Sequence, residues 1–246
     1  MKRIKAVLEY DGSCYHGFQI QKNALSIQGT IESSIEKLIG HRVPIIAAGR
    51  TDAGVHALGQ VIAFDTDSSI PVDKWQFALN SILPADIRVI SSCEAESDFH
   101  PRFQALDKKY IYYIYRQQRG KVFYGPYAYC NLENLDIQAM QQACKQLLGR
   151  QNYKSFCASG SSVKNFERHI KECQLSQKDP FIKLEILADG FLYNMVRIIV
   201  GTLLEVGRSS IKPEYIKEII QAQDRNQAGP TAPPQGLYLH SVNYGM

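Results

Sequence analysis

The sequence predicts an α/β (α+β) protein built from two related halves. Its 246 residues suffice for one large or two small domains. Strand-like alternation and helix-like periodicity follow each other in both halves in one order, which is strand, helix, strand, strand, helix, strand. We therefore expect halves at residues 1–104 and 105–246, linked near Phe103 to Asp107, with one continuous mixed sheet, helices on one face and a cleft between the halves.

In the first half, the alternating segment RIKAVLEY predicts a strand that ends at Asp11 and Gly12. A helix is expected from about Ser26 to Leu38, because isoleucines recur on one face and Gly40 can end it. The segments VPIIAA and QVIAFDT predict two strands with a loop between them. A proline opens a second helix, PVDKWQFALNSIL, and DIRVISSCEAE predicts the last strand of this half.

In the second half, the tyrosine-rich segment KKYIYYIYR predicts a long strand. The segment DIQAMQQACKQLLG predicts a helix closed by Gly149, and strands follow near ERHIKECQLS and FIKLEILA. A helix over FLYNMVRIIVGTLLEVG comes next, then a short helix opened by Pro213, and GLYLHSVNY predicts the last strand. The second half thus repeats the order of the first.

The composition is typical of a folded soluble protein, with 45% hydrophobic and 21% charged residues and no low-complexity tract. No apolar run approaches the ~20 residues that a membrane helix needs, and the first residues turn polar too early for a signal peptide. We expect a cytoplasmic protein with no membrane segment. The formal net charge of +4 is a mild excess that does not by itself identify a partner.

The cysteines form no C-x-x-C pair, so neither a zinc site nor a disulfide framework is indicated. We interpret them as reduced, structural thiols, with a reactive thiol as the alternative. The six are Cys14, Cys93, Cys130, Cys144, Cys157 and Cys173.

Three common catalytic motifs are missing from the sequence. The segments GSCYHG and GRTDAG fit G-x4-G, but neither continues with the lysine and hydroxyl residue of a phosphate-binding loop. The six histidines form no H-E-x-x-H motif, and there is no G-x-S-x-G nucleophile elbow. A nucleotide-triphosphate enzyme and a metal-dependent hydrolase are therefore not indicated.

The segment AAGRTDAGVHALGQVIAF is the remaining candidate for chemistry. A turn explains part of it, because Asp52 can bond its own main chain and Gly54 can adopt a positive φ angle. That interpretation accounts for Asp-Ala-Gly but leaves the preceding Gly-Arg-Thr unexplained.

Six segments, in this order and spacing, resemble the signature blocks of the tRNA pseudouridine synthase A (TruA) family. They are EYDGSCYHGFQIQ, AAGRTDAGVHALGQV, DFHPRFQA, KKYIYYIY, FLYNMVRIIVGTLLEVG and GLYLHSV. The resemblance covers nearly the whole chain, and the GRTD-x-GVH block is highly specific. It implies the pseudouridine synthase fold, with a mainly antiparallel sheet and a catalytic cleft. The segment SGSSVKNFERHIKE matches less closely, so the phosphate contacts of the second half are open.

The resemblance also implies roles for individual residues. Asp52 matches the catalytic aspartate, which acts while uracil detaches at N1 and rejoins the ribose through C5. Tyr110 matches the tyrosine that packs against the target base, and Arg197 matches the arginine that pairs with the aspartate. Arg50 matches the arginine that helps displace the target base. Leu237 or Leu239 matches an apolar wall of the pocket.

A guanidinium beside the aspartate has a physical reason. Burial alone would raise the pKa of a carboxyl group and neutralise it, whereas a neighbouring cation restores the charge. The planar fork of arginine can also fix the direction of the carboxylate. The alternatives are that Arg197 extends from a helix to solvent and that Tyr110 only packs within its sheet.

The family implies uridines at positions 38, 39 and 40 of the tRNA anticodon stem-loop as targets, and a homodimer as the assembly. We expect an isomerase that uses no metal and no organic cofactor. To bind RNA, the rim of the catalytic cleft must carry positive charge. Each candidate residue for this rim could instead be part of the ordinary solvated surface. The rim candidates are Arg50, His56, His100, Arg102, Lys108, Lys109, Arg168 and Arg208. Two alternatives stay open: an RNA-binding module or chaperone that lost catalysis, and a hydrolase that uses Asp52 with a histidine.

Overall fold

A computed structural model describes residues 1–161 and 163–245. The chain divides into two units, one made of Met1–Leu106 with Tyr238–Met246 and the other of Asp107–Leu237. The sequence assigned the whole of residues 105–246 to the second half. The structure instead groups the last strand with the N-terminal unit.

The described part of the N-terminal unit contains five strands and two α-helices. Their bounds are β1 (Lys2–Tyr10), α1 (Ile27–Ile39), β2 (Ile46–Ala47), β3 (His56–Thr66), α2 (Trp75–Asn80), β4 (Ile87–Ala95) and β10 (Leu237–Asn243). Strand β1 pairs antiparallel with β3 and β4, and β2 pairs antiparallel with β3. Strand β10 pairs parallel with β3 through Tyr238 opposite His56 and Leu239 opposite Ala57.

Strand β1 and helix α1 confirm the expectations from periodicity. In β1, every second side chain is buried, as its alternation predicts. Helix α1 begins after Ser26, whose hydroxyl accepts a hydrogen bond from the main-chain N of Gly29. It ends at Gly40, which has the left-handed conformation (φ 81°) of a C-terminal glycine cap.

Two elements of this unit are shorter than predicted. Only Ile46–Ala47 of VPIIAA pairs with β3, because Val43 and Ile45 bury their side chains without joining the strand ladder. The second helix is split into a 3-10 turn, Val72–Lys74, and the α-helix α2. It ends at Asn80, and the hydroxyl of Ser81, which follows it, donates to the carbonyl of Ala78.

In its described residues, the second unit contains five strands and four α-helices. Their bounds are β5 (Asp107–Tyr115), α3 (Lys121–Tyr124), β6 (Tyr129–Cys130), α4 (Ile137–Gln146), β7 (Gly149–Asn152), β8 (Glu167–Lys178), β9 (Phe181–Ala188), α5 (Met195–Gly207) and α6 (Tyr215–Ala222). The sheet order is β5-β9-β8-β7, with antiparallel neighbours, and β6 pairs parallel with β5. The sequence did not predict α3, β6 or β7.

In the second unit, one helix ends earlier and another begins later than predicted. Helix α4 ends at Gln146, and Gly149 begins β7 with a φ of +101°, so this glycine turns the chain into a strand. Helix α5 begins four residues after Phe191 because Asn194 adopts the left-handed conformation (φ 58°). Strands β5, β8 and β9 and the short helix α6 follow the predictions.

Strands and helices therefore mix in both units, and strand pairing is mainly antiparallel. The predicted α+β class is confirmed. In the described part of the chain, no helix has both the length and the apolar character that crossing a bilayer requires.

Candidate functional site

The loop that carries Asp52 connects β2 to β3 and comprises residues 48–55, called the GRTD loop below. At its start, the main-chain N of Ala48 donates to the carbonyl of Val61 at 2.8 Å. At its end, the N of Val55 donates to the carbonyl of Asp52 at 3.1 Å, and Gly54 has a φ of +74°. A main-chain turn with Gly54 at a positive φ angle is thus present around Asp52, and hydrogen bonds fix both ends of the loop.

Thr51 anchors the loop to the interior. Its hydroxyl lies 2.8 Å from the hydroxyl of Tyr10 at the end of β1, and both side chains are buried. Gln60 donates from Nε2 to the carbonyl of Gly49 at 2.8 Å. Burial raises the pKa of Tyr10 to about 12, although its hydrogen bonds with Thr51 and Gln60 act in the opposite direction. Thr51 therefore attaches the loop to the interior of the N-terminal unit, which explains the Gly-Arg-Thr part of the motif.

The segment GSCYHGF packs directly on the GRTD loop. A Cβ atom on Gly12 would lie 2.0 Å from the carbonyl oxygen of Val55, and one on Gly17 would lie 2.7 Å from that of Thr51. The N of Phe18 donates to the carbonyl of Thr51 at 3.0 Å. These glycines, which fit a phosphate-loop spacing in the sequence, therefore serve close packing of main chain against main chain.

Arg50 and Asp52 differ from Thr51 in exposure. The side chain of Arg50 is exposed, Thr51 is buried and Asp52 is half-buried. A loop fixed through one buried residue thus presents the two neighbouring charged residues at the surface of the N-terminal unit. We infer that the order Arg-Thr-Asp serves this arrangement: the buried middle residue fixes the main chain, and the charged residues on either side stay accessible.

His56 is a predicted rim cation, and this prediction is wrong because its side chain is buried. His56 is only 2% exposed and stacks on Tyr238, with ring centroids 4.7 Å apart. Its Nδ1 accepts a hydrogen bond from the main-chain N of Gly12 at 3.1 Å and lies 3.2 Å from a carboxylate oxygen of Asp11. It therefore ties the glycine segment to β3 and does not present a cation to RNA.

Tyr110 lies in the second unit, on β5, where it is opposite Ile186 of β9. Its side chain is 8% exposed, and its ring meets that of Phe191 edge to face at a centroid distance of 5.0 Å. Leu237 and Leu239 are also buried. Packing thus fixes the orientation of the Tyr110 ring.

Arg197 lies in the first turn of α5 and is half-buried. Its Nε donates to the carbonyl of Ala232 at 2.7 Å, and one terminal nitrogen donates to Oδ1 of Asn194 at 2.9 Å. The N of Ala232 returns a hydrogen bond to the carbonyl of Arg197 at 3.0 Å. These contacts hold the plane of the guanidinium, so Arg197 does not simply extend to solvent.

Glycines bring the chain near Ala232 onto α5. A Cβ atom on Gly201 would lie 1.7 Å from the carbonyl oxygen of Pro230, and one on Gly229 would lie 2.7 Å from the main chain of Thr202. The hydroxyl of Tyr112 donates to the carbonyl of Pro233 at 2.8 Å. Burial raises the pKa of Tyr112, while the positive charge of Arg197 opposes that rise.

The other predicted rim cations fall into two groups. Lys109 contacts Glu185 at 3.0 Å, and Arg208 contacts Glu133 and Glu205, each at 2.6 Å. Carboxylates thus offset both charges. Arg102 is exposed, and His100, Lys108 and Arg168 are half-buried. Arg168 donates to the main-chain carbonyls of Asn165 and Glu167.

The six cysteines are free thiols. Cys144, Cys157 and Cys173 are buried and Cys130 is half-buried, whereas Cys14 and Cys93 are exposed and do not fill a core. Within residues 1–161 and 163–245, no three histidine, cysteine, aspartate or glutamate side chains form a group that could hold a metal ion.

Comparison with known proteins identifies the family. A family model described as "tRNA pseudouridine synthase" matches residues 6–104 and 143–245. The chain belongs to the tRNA pseudouridine synthase family. Members of this family are isomerases that convert uridine to pseudouridine.

Several relatives with known names match this chain over nearly the full length of both proteins. The tRNA pseudouridine synthase A of Syntrophomonas wolfei is 60% identical, with 99% of this chain and 98% of that protein covered. Proteins of the same name from Acetivibrio thermocellus and Moorella thermoacetica are 48% and 47% identical, with 99% of this chain and 100% of each protein covered.

Proposed function

We propose that this chain converts uridine to pseudouridine in tRNA, at positions 38, 39 and 40 of the anticodon stem-loop. In this isomerisation, the bond between N1 of uracil and C1′ of the ribose breaks, and a bond between C5 and C1′ forms. The hydrogen on C5 leaves as a proton, and N1 gains a proton. The family match over both halves of the chain supports the reaction, and the sequence resemblance supports the target positions.

Asp52 is the proposed catalytic carboxylate. The observation that carries this assignment is the anchoring of the GRTD loop through the buried Thr51–Tyr10 pair. An anchored main chain keeps a half-buried carboxylate in one position, which a reaction at a sugar or base carbon requires. Arg50, exposed beside it, is the proposed residue that displaces the target base.

Tyr110 and Arg197 are the proposed partners of Asp52 in catalysis. Arg197 supplies a fixed positive charge that keeps the catalytic carboxylate ionised when water is displaced. Its hydrogen bonds to Ala232 and Asn194 support this role, because they set the guanidinium plane in advance. Tyr110 supplies a flat wall for the base, and Leu237 or Leu239 supplies an apolar one.

The proposed substrate contacts outside the reacting base are cationic. Arg102, Lys108, Arg168 and His100 are proposed to contact the tRNA backbone, because polyphosphate binding depends on such charges. The assembly is proposed to be a cytoplasmic homodimer. Light scattering on the purified protein should give twice the chain mass of 27.8 kDa, and a value equal to one chain would reject the dimer.

The decisive experiment measures loss of the C5 hydrogen. The protein is incubated with tRNA that carries tritium at uracil C5, and the label released to water is counted. We expect release by the natural protein, no release by Asp52→Asn, and normal release by Asp67→Asn, which alters an exposed aspartate on the same unit. Release should persist in the presence of EDTA, because the proposed reaction uses no metal.

A second measurement separates catalysis from binding. Asp52→Asn should still bind tRNA in a filter or gel-shift assay. Binding by the natural protein without any tritium release would instead identify an RNA-binding protein of the same family that lacks the activity.

A further inference from the structure

An exposed aromatic ring lies on the segment between β4 and β5, residues 98–106, called the 98–106 loop below. Phe103 is 75% exposed. Its ring centroid lies 4.2 Å from that of His100, with the planes tilted by 34°, and the guanidinium carbon of Arg102 lies 5.6 Å from the Phe103 centroid. The rings of His100 and Phe103 and the positive charge of Arg102 therefore lie together on one small surface.

The hydrogen bonds of His100 hold this surface in place. Its Nδ1 accepts from the main-chain N of Arg102 at 3.2 Å and of Phe103 at 3.3 Å. In the neutral imidazole, the proton consequently lies on Nε2. Gln104 closes the turn, since its main-chain N donates to the carbonyl of His100 and its Oε1 accepts from the N of His100.

The base of the loop is anchored in the core of the N-terminal unit. Phe99 is buried and meets the ring of Tyr244 edge to face at 5.1 Å, and the hydroxyl of Tyr244 donates to the carbonyl of Pro101 at 2.8 Å. Ala48, the first residue of the GRTD loop, belongs to the same buried cluster as Phe99. Both loops therefore emerge from one part of the core.

A rigid, exposed ring next to a cation is what single-stranded nucleic acid binds. Bases have an apolar face that stacks on aromatic side chains, and arginine adds charge that attracts the adjacent phosphate. We propose that Phe103, flanked by His100 and Arg102, is a stacking platform for an unpaired base of the RNA substrate. The proposal rests on the proposed function for its partner, and it adds Phe103 as a substrate-positioning residue.

Phe77 provides a matched control. It is an exposed phenylalanine of the same unit, and Lys74 lies 5.6 Å from its ring centroid. Lys74, however, is 3.2 Å from a carboxylate oxygen of Asp73, which offsets its charge. The Phe77 ring also lies on a helix and not on a loop that shares its base with the GRTD loop.

The first test uses tryptophan fluorescence. The only tryptophan of the natural protein, Trp75, is fully buried, so Phe103→Trp adds one exposed fluorophore. We expect tRNA to quench this new emission, since base stacking quenches indole fluorescence, and Phe77→Trp to stay unquenched. Unchanged emission of Phe103→Trp at saturating tRNA, or equal quenching of both variants, would overturn the proposal.

The second test measures affinity and turnover. Phe103→Ala should weaken tRNA binding roughly 5- to 150-fold, the range that loss of one base stack produces, while Phe103→Tyr and Phe77→Ala bind normally. In a plot of the logarithm of the binding constant against the logarithm of the salt concentration, Phe103→Ala should keep the slope of the natural protein. Arg102→Gln should reduce the magnitude of that slope by about one. The KM for tRNA should rise in Phe103→Ala, with kcat nearly unchanged.

These outcomes distinguish the two proposals. Binding and fluorescence report on Phe103 whether or not tritium is released, so a protein without turnover still tests the platform. Normal tRNA affinity in Phe103→Ala, with intact tritium release, would reject the platform and leave the proposed function standing. An interaction of Phe103 with a protein partner would appear as normal tRNA binding by the same variant.

Discussion

The hydroxyl groups of Tyr10 and Thr51 lie 2.8 Å apart in the interior of the N-terminal unit, one on β1 and the other on the GRTD loop. Tyr10→Phe removes this contact and leaves the buried Thr51 hydroxyl without it. We expect a loss of about 1–3 kcal/mol in the free energy of unfolding, measured in urea. Tritium release should fall as well, because Asp52 is next in sequence to Thr51.

The control for Tyr10→Phe is Tyr193→Phe. Tyr193 is half exposed, so loss of its hydroxyl should change the free energy of unfolding by less than about 0.5 kcal/mol. Equal stability of the two variants would show that the buried contact does not hold the loop.

Gly17 and Gly40 separate two roles of glycine. Both have positive φ angles, 94° and 81°, but only a Cβ atom on Gly17 would meet the GRTD loop, whereas one on Gly40 meets nothing within 4 Å. Gly40→Ala should cost about 1 kcal/mol of unfolding free energy from backbone strain alone. Gly17→Ala should cost about 1–3 kcal/mol more and reduce tritium release, because the loop must move. Similar unfolding midpoints and full activity in both variants would contradict the close packing.

Arg197→Lys tests the geometry of the guanidinium. Lysine keeps the charge but cannot copy the planar fork that contacts Ala232 and Asn194. We expect folded protein with kcat reduced about 100-fold in the tritium assay. Arg225→Lys is the control, since Arg225 also donates to a main-chain carbonyl, that of Ala228, yet has no proposed role in catalysis. Full activity of Arg197→Lys would refute the proposed pairing with Asp52.

Buried tyrosines should make the protein unstable in alkali. Burial raises the pKa of Tyr10 to about 12, and it is also the main cause of raised pKa values for Tyr15, Tyr112, Tyr153 and Tyr244. A raised tyrosine pKa means that the folded state binds more protons than the unfolded state between the two pKa values. For Tyr10, this stability is fully present below pH 10 and is lost as the pH rises toward 12.

The measurement is the absorbance of tyrosinate at 295 nm during an alkaline titration, with circular dichroism recorded in parallel. We expect a late group of tyrosines to ionise together with loss of secondary structure. A titration in which all tyrosines ionise near pH 10 while the protein stays folded would contradict the burial of these five.

Thiol labelling checks the placement of the cysteines. Cys14 and Cys93 are exposed and should react with a thiol reagent within the first phase, whereas Cys144, Cys157 and Cys173 should react only after denaturation. Peptide mapping by mass spectrometry identifies the labelled positions. Early labelling of Cys144 or Cys173 in folded protein would contradict the burial of these two thiols.

Much of the fold was predictable because local signals agreed with tertiary packing. Helix α1 has a serine cap, an isoleucine face and a glycine stop, and all three appear in the structure. The segment VPIIAA was misjudged because an apolar run indicates burial but not a strand partner. The start of α5 was misjudged because Asn194 turns the chain where the apolar pattern already suggests a helix.

The GRTD loop was located from sequence, but the residues that hold it were not. Tyr10, Thr51 and Gln60 contact it through side-chain hydrogen bonds that join segments far apart in the chain. The signal for Thr51 was present, since Gly-Arg-Thr had no explanation as a turn. His56 is among the predicted rim cations because bound RNA requires a positive rim, but burial cannot be read from residue type, and this side chain is 2% exposed.

Phe103 was not selected from the sequence, although its neighbours His100 and Arg102 were. The sequence places Phe103 only in the link between the halves. Phenylalanine side chains are often buried, and only the structure shows this ring to be 75% exposed.

Strand β10 completes the strand pairing of the N-terminal unit, although it is synthesised after residues 107–236, nearly the whole of the second unit. During translation, His56 and Ala57 at the start of β3 cannot pair with β10, and the ring of His56 cannot stack on Tyr238, until that later stretch has left the ribosome. A nascent chain halted before residue 237 should accordingly be more sensitive to protease at the start of β3, next to the GRTD loop, than the full-length chain.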